Sequence, residues 1–265
     1  MPLAISRFDL SVYDLILSSS HCVAKGVRTR PGQVHVCYCY TPMRYIWDLE
    51  EDYLRDNGIR GVKRVMVKSL FRSLRRWDRK TEGVDHFIAT SQFIADRIRC
   101  CYGRSSTVVY PPVDVEGFRC LEKEDYYVTA SRLVSQKRVD LIVEAFNRMP
   151  DQRLVVVGSG PLLETLRDKA AENVTLTGHL PDTELATLFG KARGFLFASQ
   201  EDFGMVTVEA QAAGTPVIAF DQGGSREIVR TDTGLLFAEQ SAESIIDAVR
   251  RFEEDPQRFA ASDCP

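Results

Sequence analysis

Five short runs from residue 125 onward carry no charge in their apolar centres: YYVTAS (126–131), RLVVVGSG (153–160), NVTLTG (173–178), GFLFAS (194–199) and TPVIAF (215–220). Strands that apolar are buried on both faces, and a sheet covered on both faces is a parallel one flanked by helices. The intervening segments supply the helices. VDLIVEAFNRM (139–149), PLLETLRDKAA (161–171), PDTELATLFGKA (181–192), MVTVEAQAAG (205–214) and SAESIIDAVRRF (241–252) space their apolar residues at helical intervals. Asp182 and Ser241 are placed to cap helix N-termini, and Gly214 to close a C-terminus. The pattern predicts a doubly wound, Rossmann-like α/β domain.

The first 110 residues repeat the alternation less regularly. YDLILSSS (13–20), QVHVCYCY (33–40), DHFIATS (85–91) and STVVYPPV (106–113) read as strands, with DLEEDYLRD (48–56), a long stretch over 61–80 and SQFIADRIRCCYG (91–103) as helices. Pro111 and Pro112 interrupt both patterns and predict a hinge between two α/β domains, 1–112 and 113–265. A chain of 265 residues that is 44% hydrophobic can fill two cores. A net charge of -3 argues against a nucleic-acid partner. Seven cysteines without a CxxC pair, and only four histidines, favour reduced thiols over a disulfide framework or a zinc site. No apolar run nears the ~20 residues that cross a bilayer and no signal core opens the chain, so the expected location is the cytoplasm.

Open α/β sheets bind ligands beyond the carboxyl ends of their strands, which singles out the loops after each run. Gly158-Ser159-Gly160, Gly178-His179-Leu180 and Gln222-Gly223-Gly224 are glycine-containing and lead into helices, a way to bring amides and helix dipoles to a phosphate. No loop has the GxGxxG or P-loop spacing. Taken alone, the GSG is as well explained by a tight turn, and Arg132 with Lys137 by a solvated surface pair. The nine residues EDFGMVTVE shift that balance. Gly204 predicts that a helix begins near Met205, leaving Glu201 in the loop before it and Glu209 inside it.

ASRLVSQKRVDLIVEAF, VVGSGP, TGHLPDTEL and SQEDFGMVTVEAQAAGTPVIAFDQGGSREIV together resemble the donor domain of family 4 glycosyltransferases, retaining enzymes of the GT-B fold. YDLILSSSHCVAKGV, CYCYTPMRYIWDL and VDHFIATSQFIADRIRCCYG are similar to the acceptor domain of the mannosyltransferase-like branch that builds surface polysaccharides. The resemblance implies transfer of a hexose, mannose in that branch, from a nucleotide sugar such as GDP-mannose to a saccharide or polyprenyl-linked acceptor. It implies retention of configuration and no metal or other cofactor. Glu201 would contact donor sugar hydroxyls, and the backbone from Phe203 and Gly204 through Met205 and Val206 would face the sugar and diphosphate. Glu209 would accept from the ribose hydroxyls. Arg132 and Lys137 would hold the leaving diphosphate, Gly158 and Gly160 would line the donor site, and the backbone of Gly178, His179 and Leu180 would read the base. A carboxylate only accepts hydrogen bonds and so suits vicinal diols, and a helix N-terminus suits a phosphate. In the acceptor domain the resemblance implies His21 as a catalytic residue beside Arg132, Lys137 and Glu201, and Tyr40 and Arg44 as acceptor-side residues. Tyr40 departs from the family pattern, which has a histidine there.

RGVKRVMVKSLFRSLRRWDRK (60–80) sets nine cations against one acid, Asp78, with Val62, Val65, Met66, Leu70, Leu74 and Trp77 at helical spacing. The stretch fits peripheral contact with an anionic membrane surface, and equally a solvated helix packed on its own domain. Set against the active transferase stand a catalytically inactive nucleotide-sugar-binding or scaffold remnant and, further off, a GT-B epimerase. By comparison with the family pattern the chain begins inside the first domain, which is then expected to be incomplete, and stops before a terminal helix. On that expectation the chain as written transfers sugar poorly.

Overall fold

The computed structural model describes residues 2–259 and divides into two compact units, Met1–Pro111 and Pro112–Pro265. In the first, chain order is α1 (Pro2–Ile5), β1 (Leu15–Ser20), β2 (Val34–Cys39), α2 (Arg44–Trp47), α3 (Glu50–Asp56), α4 (Gly61–Asp78), β3 (His86–Ala89), α5 (Gln92–Tyr102) and β4 (Thr107–Val108). The four strands are parallel in the order β1-β2-β3-β4. STVVYPPV shrinks to two paired residues, Thr107 and Val108, and Pro111 and Pro112 further on cannot donate to a ladder. Cys37, Cys39, Phe87 and Ala89 pack one face of the sheet onto Ile94 and Ile98 of α5. The other face of β1 is open, with Leu15 62% and Leu17 69% exposed.

The second unit runs β5 (Tyr127–Ala130), α6 (Val139–Asn147), β6 (Leu154–Val157), α7 (Leu163–Lys169), β7 (Val174–Gly178), α8 (Asp182–Lys191), β8 (Gly194–Phe197), α9 (Met205–Ala212), β9 (Val217–Phe220), α10 (Ser225–Ile228), β10 (Gly234–Phe237) and α11 (Ala242–Glu254). Its sheet is parallel throughout, in the order β10-β9-β8-β5-β6-β7. Side chains alternate between two cores, as a doubly wound sheet requires. Leu196 and Ile218 join Ile142, Phe146, Val249 and Phe252 beneath α6 and α11, while Phe195, Phe197, Val217 and Ala219 join Phe189 and Ala210 beneath α8 and α9.

Ser241 caps α11 as expected, its side chain accepting from the Ser244 amide. Asp182 does not cap α8. Pro181 holds the cap position with extended backbone and Asp182 is the first helical residue. Gly214 lies one residue beyond the α9 cap, Ala213, with φ +67°. Cys22, Cys37, Cys39, Cys100 and Cys101 are free thiols, but Cys120 is disulfide-bonded, so the expectation of reduced thiols fails there. Cys264 lies outside the described residues. Among the described residues no helix is long and apolar enough to cross a membrane.

Candidate active site

The second sheet reverses its winding between β5 and β8: the chain adds β6 and β7 on one side and β9 and β10 on the other. A reversal of this kind leaves a crevice at the carboxyl ends of the two central strands. β5 leads into the loop with Arg132 and Lys137, and β8 into the loop with Glu201. The two loops meet at Lys137 Nζ and Glu201 Oε1, 2.5 Å apart, with each side chain about one quarter exposed. Ser199 Oγ, buried, donates to the same carboxylate oxygen at 3.3 Å. Arg132 is exposed and, among the described residues, in no ion pair.

Backbone geometry explains the glycines around these charges. A Cβ on Gly158 (φ +136°) would fall 1.9 Å from the Ser131 carbonyl oxygen, and one on Gly160 2.4 Å from that of Leu133. The GSG lets two loops lie backbone to backbone, an approach open only to glycine. The Leu133 amide donates to the Ser159 carbonyl at 2.9 Å, and the Gly158 amide to the Gly178 carbonyl at 2.8 Å. On the other side, Glu201 bridges to Gly223, and the Gly224 amide donates to the Glu201 carbonyl at 2.9 Å. A Cβ on Gly224 would meet the Phe203 carbonyl oxygen at 2.2 Å. Gly223 and Gly224 thus clamp the 201–203 loop, a role the sequence motif marks only as a glycine pair.

Gly204, with φ +95°, turns the chain into α9, which starts at Met205 as its glycine predicts. The Thr207 amide and hydroxyl both donate to the Gly204 carbonyl, leaving the first amides of α9 without intrahelical acceptors. Glu209 follows one turn later, half-buried. Burial raises its carboxyl pKa above the ordinary value, and the Asp182 carboxylate adds to the effect. Leu180 packs against the core, whereas His179 and Met205 are exposed and Phe203 and Val206 partly so. Among the described residues, Arg138 alone has positive φ (+53°) without being glycine; it sits directly after Lys137.

In the first unit His21 is exposed on the bend after β1, Tyr40 follows β2, and Arg44 opens α2. Ser19 Oγ donates to Tyr40 Oη at 3.3 Å, and the Tyr38 and Tyr40 rings meet edge to face at 5.3 Å. The sequence reading passed over His35, which is fully buried between Ser18 Oγ at 2.8 Å and the Gly83 carbonyl at 2.7 Å. A carbonyl only accepts, so Nδ1 carries the proton. Burial lowers the imidazole pKa, as befits a neutral structural histidine.

The nine cations of the basic stretch are not all turned to solvent. Arg64, Lys68 and Arg75 are paired with Glu50 and Glu51 of α3, Arg79 stacks 5.0 Å above Trp47, and Asp78 is fully buried. Leu74 and Trp77 pack inward, so the exposed apolar residues are Val62, Val65, Met66 and Leu70.

Residues 114–262 match the family model of glycosyl transferases group 1. The chain belongs to that family. It is 32% identical over 213 residues to a GDP-mannose-dependent alpha-(1-6)-phosphatidylinositol monomannoside mannosyltransferase of Mycobacterium tuberculosis, covering 68% of this chain and 55% of the relative. A GDP-mannose-dependent monoacylated alpha-(1-6)-phosphatidylinositol monomannoside mannosyltransferase of Corynebacterium glutamicum is 30% identical over 210 residues, 67% of this chain and 55% of the relative. The chain thus spans about half the length of the curated relatives it matches. Among solved structures, sucrose-phosphate synthase from Thermosynechococcus elongatus aligns with a TM-score of 0.72 at 23% identity, covering 94% of this chain and 66% of that one. Anabaena HepE in complex with UDP aligns at 0.71 and 18%, covering 94% and 71%. The architecture is the two-sheet, parallel α/β arrangement of GT-B glycosyltransferases.

Proposed function

We propose that this chain acts as a retaining hexosyltransferase that moves mannose from GDP-mannose to a saccharide or lipid-linked acceptor in polysaccharide assembly. One observation carries the reading. Lys137 and Glu201 meet where the sheet reverses, beside the open N-terminus of α9. A cation for the diphosphate, a carboxylate for the sugar hydroxyls and free amides between them are the groups a nucleotide sugar needs. The names of the mycobacterial and corynebacterial relatives support GDP and mannose. In the transfer, the bond from sugar C1 to the phosphate oxygen breaks as the acceptor oxygen bonds C1 on the same face. The acceptor's proton passes to the departing phosphate, and Arg132 and Lys137 stabilise the charge that develops there without requiring a metal. Glu209 holds the ribose, and the acceptor side is assigned to His21, Tyr40 and Arg44.

Calorimetric titration of GDP, UDP and ADP, paired with a transfer assay, tests this. Glu209→Ala is expected to weaken GDP binding by about tenfold to a hundredfold, the loss of a hydrogen bond to a charged group. Glu201→Ala is expected to keep GDP affinity, since it also frees Lys137 for the phosphates, and to lose turnover. Equal loss of GDP affinity in both variants contradicts the assignments.

Peripheral membrane association belongs to the same proposal. Val62, Val65, Met66 and Leu70 line the outward side of α4, and Lys63, Arg72 and Arg76 have no side-chain partner among the described residues. At about 1 kcal/mol per cation, replacing those three with glutamine should lower affinity for anionic vesicles about a hundredfold. The attraction should also fade as salt is raised. Wild-type protein that stays in the supernatant of anionic vesicles at low salt contradicts it.

A further inference from the structure

We propose that the buried Lys25–Asp78 ion pair is a positioning device for the two loops that carry His21, Tyr40 and Arg44, so that turnover depends on it more than folding does. The inference rests on the acceptor-side assignment above. Lys25 and Asp78 have side chains 2% and 0% exposed, and Lys25 Nζ lies 2.7 Å from Asp78 Oδ1. The same ammonium donates to the Asp78 carbonyl at 2.9 Å and sits 5.0 Å and 4.9 Å from the ring centres of Trp77 and Tyr102. The second carboxylate oxygen accepts from Trp47 Nε1 at 2.8 Å and from Tyr102 Oη at 2.9 Å. One carboxylate therefore gathers the turn after β1, the end of α2, the end of α4 and α5.

Stability alone does not call for such a cluster. Two charges withdrawn from water recover their hydration only through complete and well-aimed pairing, and apolar side chains of similar volume often serve a core as well or better. Apolar packing, however, tolerates sliding, whereas an ion pair with two oriented donors fixes direction and register. What it fixes here lies at the ligand-binding end of the sheet. Lys25 is four residues after His21, and its amide donates to Ser20 Oγ at 3.3 Å, closing the loop onto the end of β1. Gly26 lies flat under Trp77, where a Cβ would meet the ring at 2.4 Å. Trp47 ends the helix that Arg44 opens. Cys22 Sγ and Tyr45 Oη, 3.2 Å apart, join the two loops a second time.

The test pairs Lys25→Met with Asp78→Leu, which removes both charges and keeps the volume. Five quantities are followed on the intact chain: thermal unfolding, GDP affinity, the His21 Cε1–H NMR signal, the rate of Cys22 alkylation read by peptide mass spectrometry, and the kcat and donor KM of transfer. The double variant is expected to unfold cooperatively and to bind GDP within twofold of wild type. Its His21 signal should broaden or split, its Cys22 should label at least tenfold faster, and kcat for transfer should fall at least tenfold with little change in donor KM. A sharp wild-type His21 signal with Cys22 labelling within twofold of wild type overturns the proposal. If the double variant does not fold, Trp47→Phe, which deletes a single donor to the carboxylate, decides on the same two loop readouts: faster labelling sustains the proposal and wild-type behaviour overturns it. If wild-type protein transfers no sugar from any donor, the transferase reading fails on its own, while the NMR and labelling results still judge whether the ion pair holds the loops.

Discussion

Arg132→Ala is expected to lower sugar transfer by about 10²–10³-fold, the loss typical when one preorganised donor to a developing negative charge is removed. Arg132 and Lys137 share a loop at the winding reversal, but their situations differ. The lysine is already engaged with Glu201, whereas the arginine is uncommitted among the described residues. On the proposed reading the arginine is therefore the cation free to meet charge as it appears on the leaving phosphate. Because that charge grows between ground and transition state, kcat should fall far more than GDP affinity. Arg132→Lys should recover part of the rate, since charge returns without the planar fork that can grip two oxygens at once. Single-turnover transfer with saturating donor measures the effect. Turnover within threefold of wild type for Arg132→Ala removes the residue from the leaving-group role.

Gly158→Ala is expected to be the most destabilising small substitution in the second unit. A methyl there lands 1.9 Å from the Ser131 carbonyl oxygen, and φ of +136° is strained for any L side chain. No side chain can swing aside, because the obstacle is the backbone that leads into the Arg132 loop. Either the β6–α7 loop lifts or the loop after β5 shifts, and both are tied to their neighbours by the amide bonds described above. A loss of at least about 3 kcal/mol follows from backbone strain and overpacking together. For a unit of this size that corresponds to a drop in Tm of roughly 6–12 °C. Gly178→Ala provides the control. Its φ is +78° but open space surrounds it, so only the left-handed backbone is at stake, about 1–2 kcal/mol. Equal losses for the two variants would show that the close approach is unimportant.

The second unit was largely legible because charge-free runs and helical spacing leave one architecture open to them. Its missing strand shows the limit: GLLF (234–237), at the edge of the sheet, buries only its first and last residues. STVVYPPV does hold a strand, but only Thr107 and Val108 pair, since apolar content says nothing about how far a partner strand runs alongside. Gly204, Glu201 and Glu209 could be placed from their spacing around the start of a helix. The Lys137–Glu201 contact could not, because 64 residues separate its partners and no periodicity links them. The pairing of the basic stretch is hidden from the sequence for the same reason. The acids that neutralise Arg64, Lys68 and Arg75 come from a different helix, so counting charges along 60–80 overstates what faces water.

Lys137 carries its own counter-ion, and this makes that amine an ion exchanger, unlike the uncommitted Arg132 beside it. An incoming anion must displace a carboxylate that is already seated, so simple attraction counts for little. Orthophosphate offers the amine a new partner but leaves the carboxylate stranded, a poor trade at a partly buried position. A ligand that brings phosphate oxygens to the amine and hydroxyl groups to the carboxylate leaves neither stranded. Its two halves must arrive on one molecule. On the proposed reading, Lys137 then selects against small anions in the resting structure, before any question of shape arises, and its contribution to the affinity for a nucleotide sugar should depend only weakly on bulk salt.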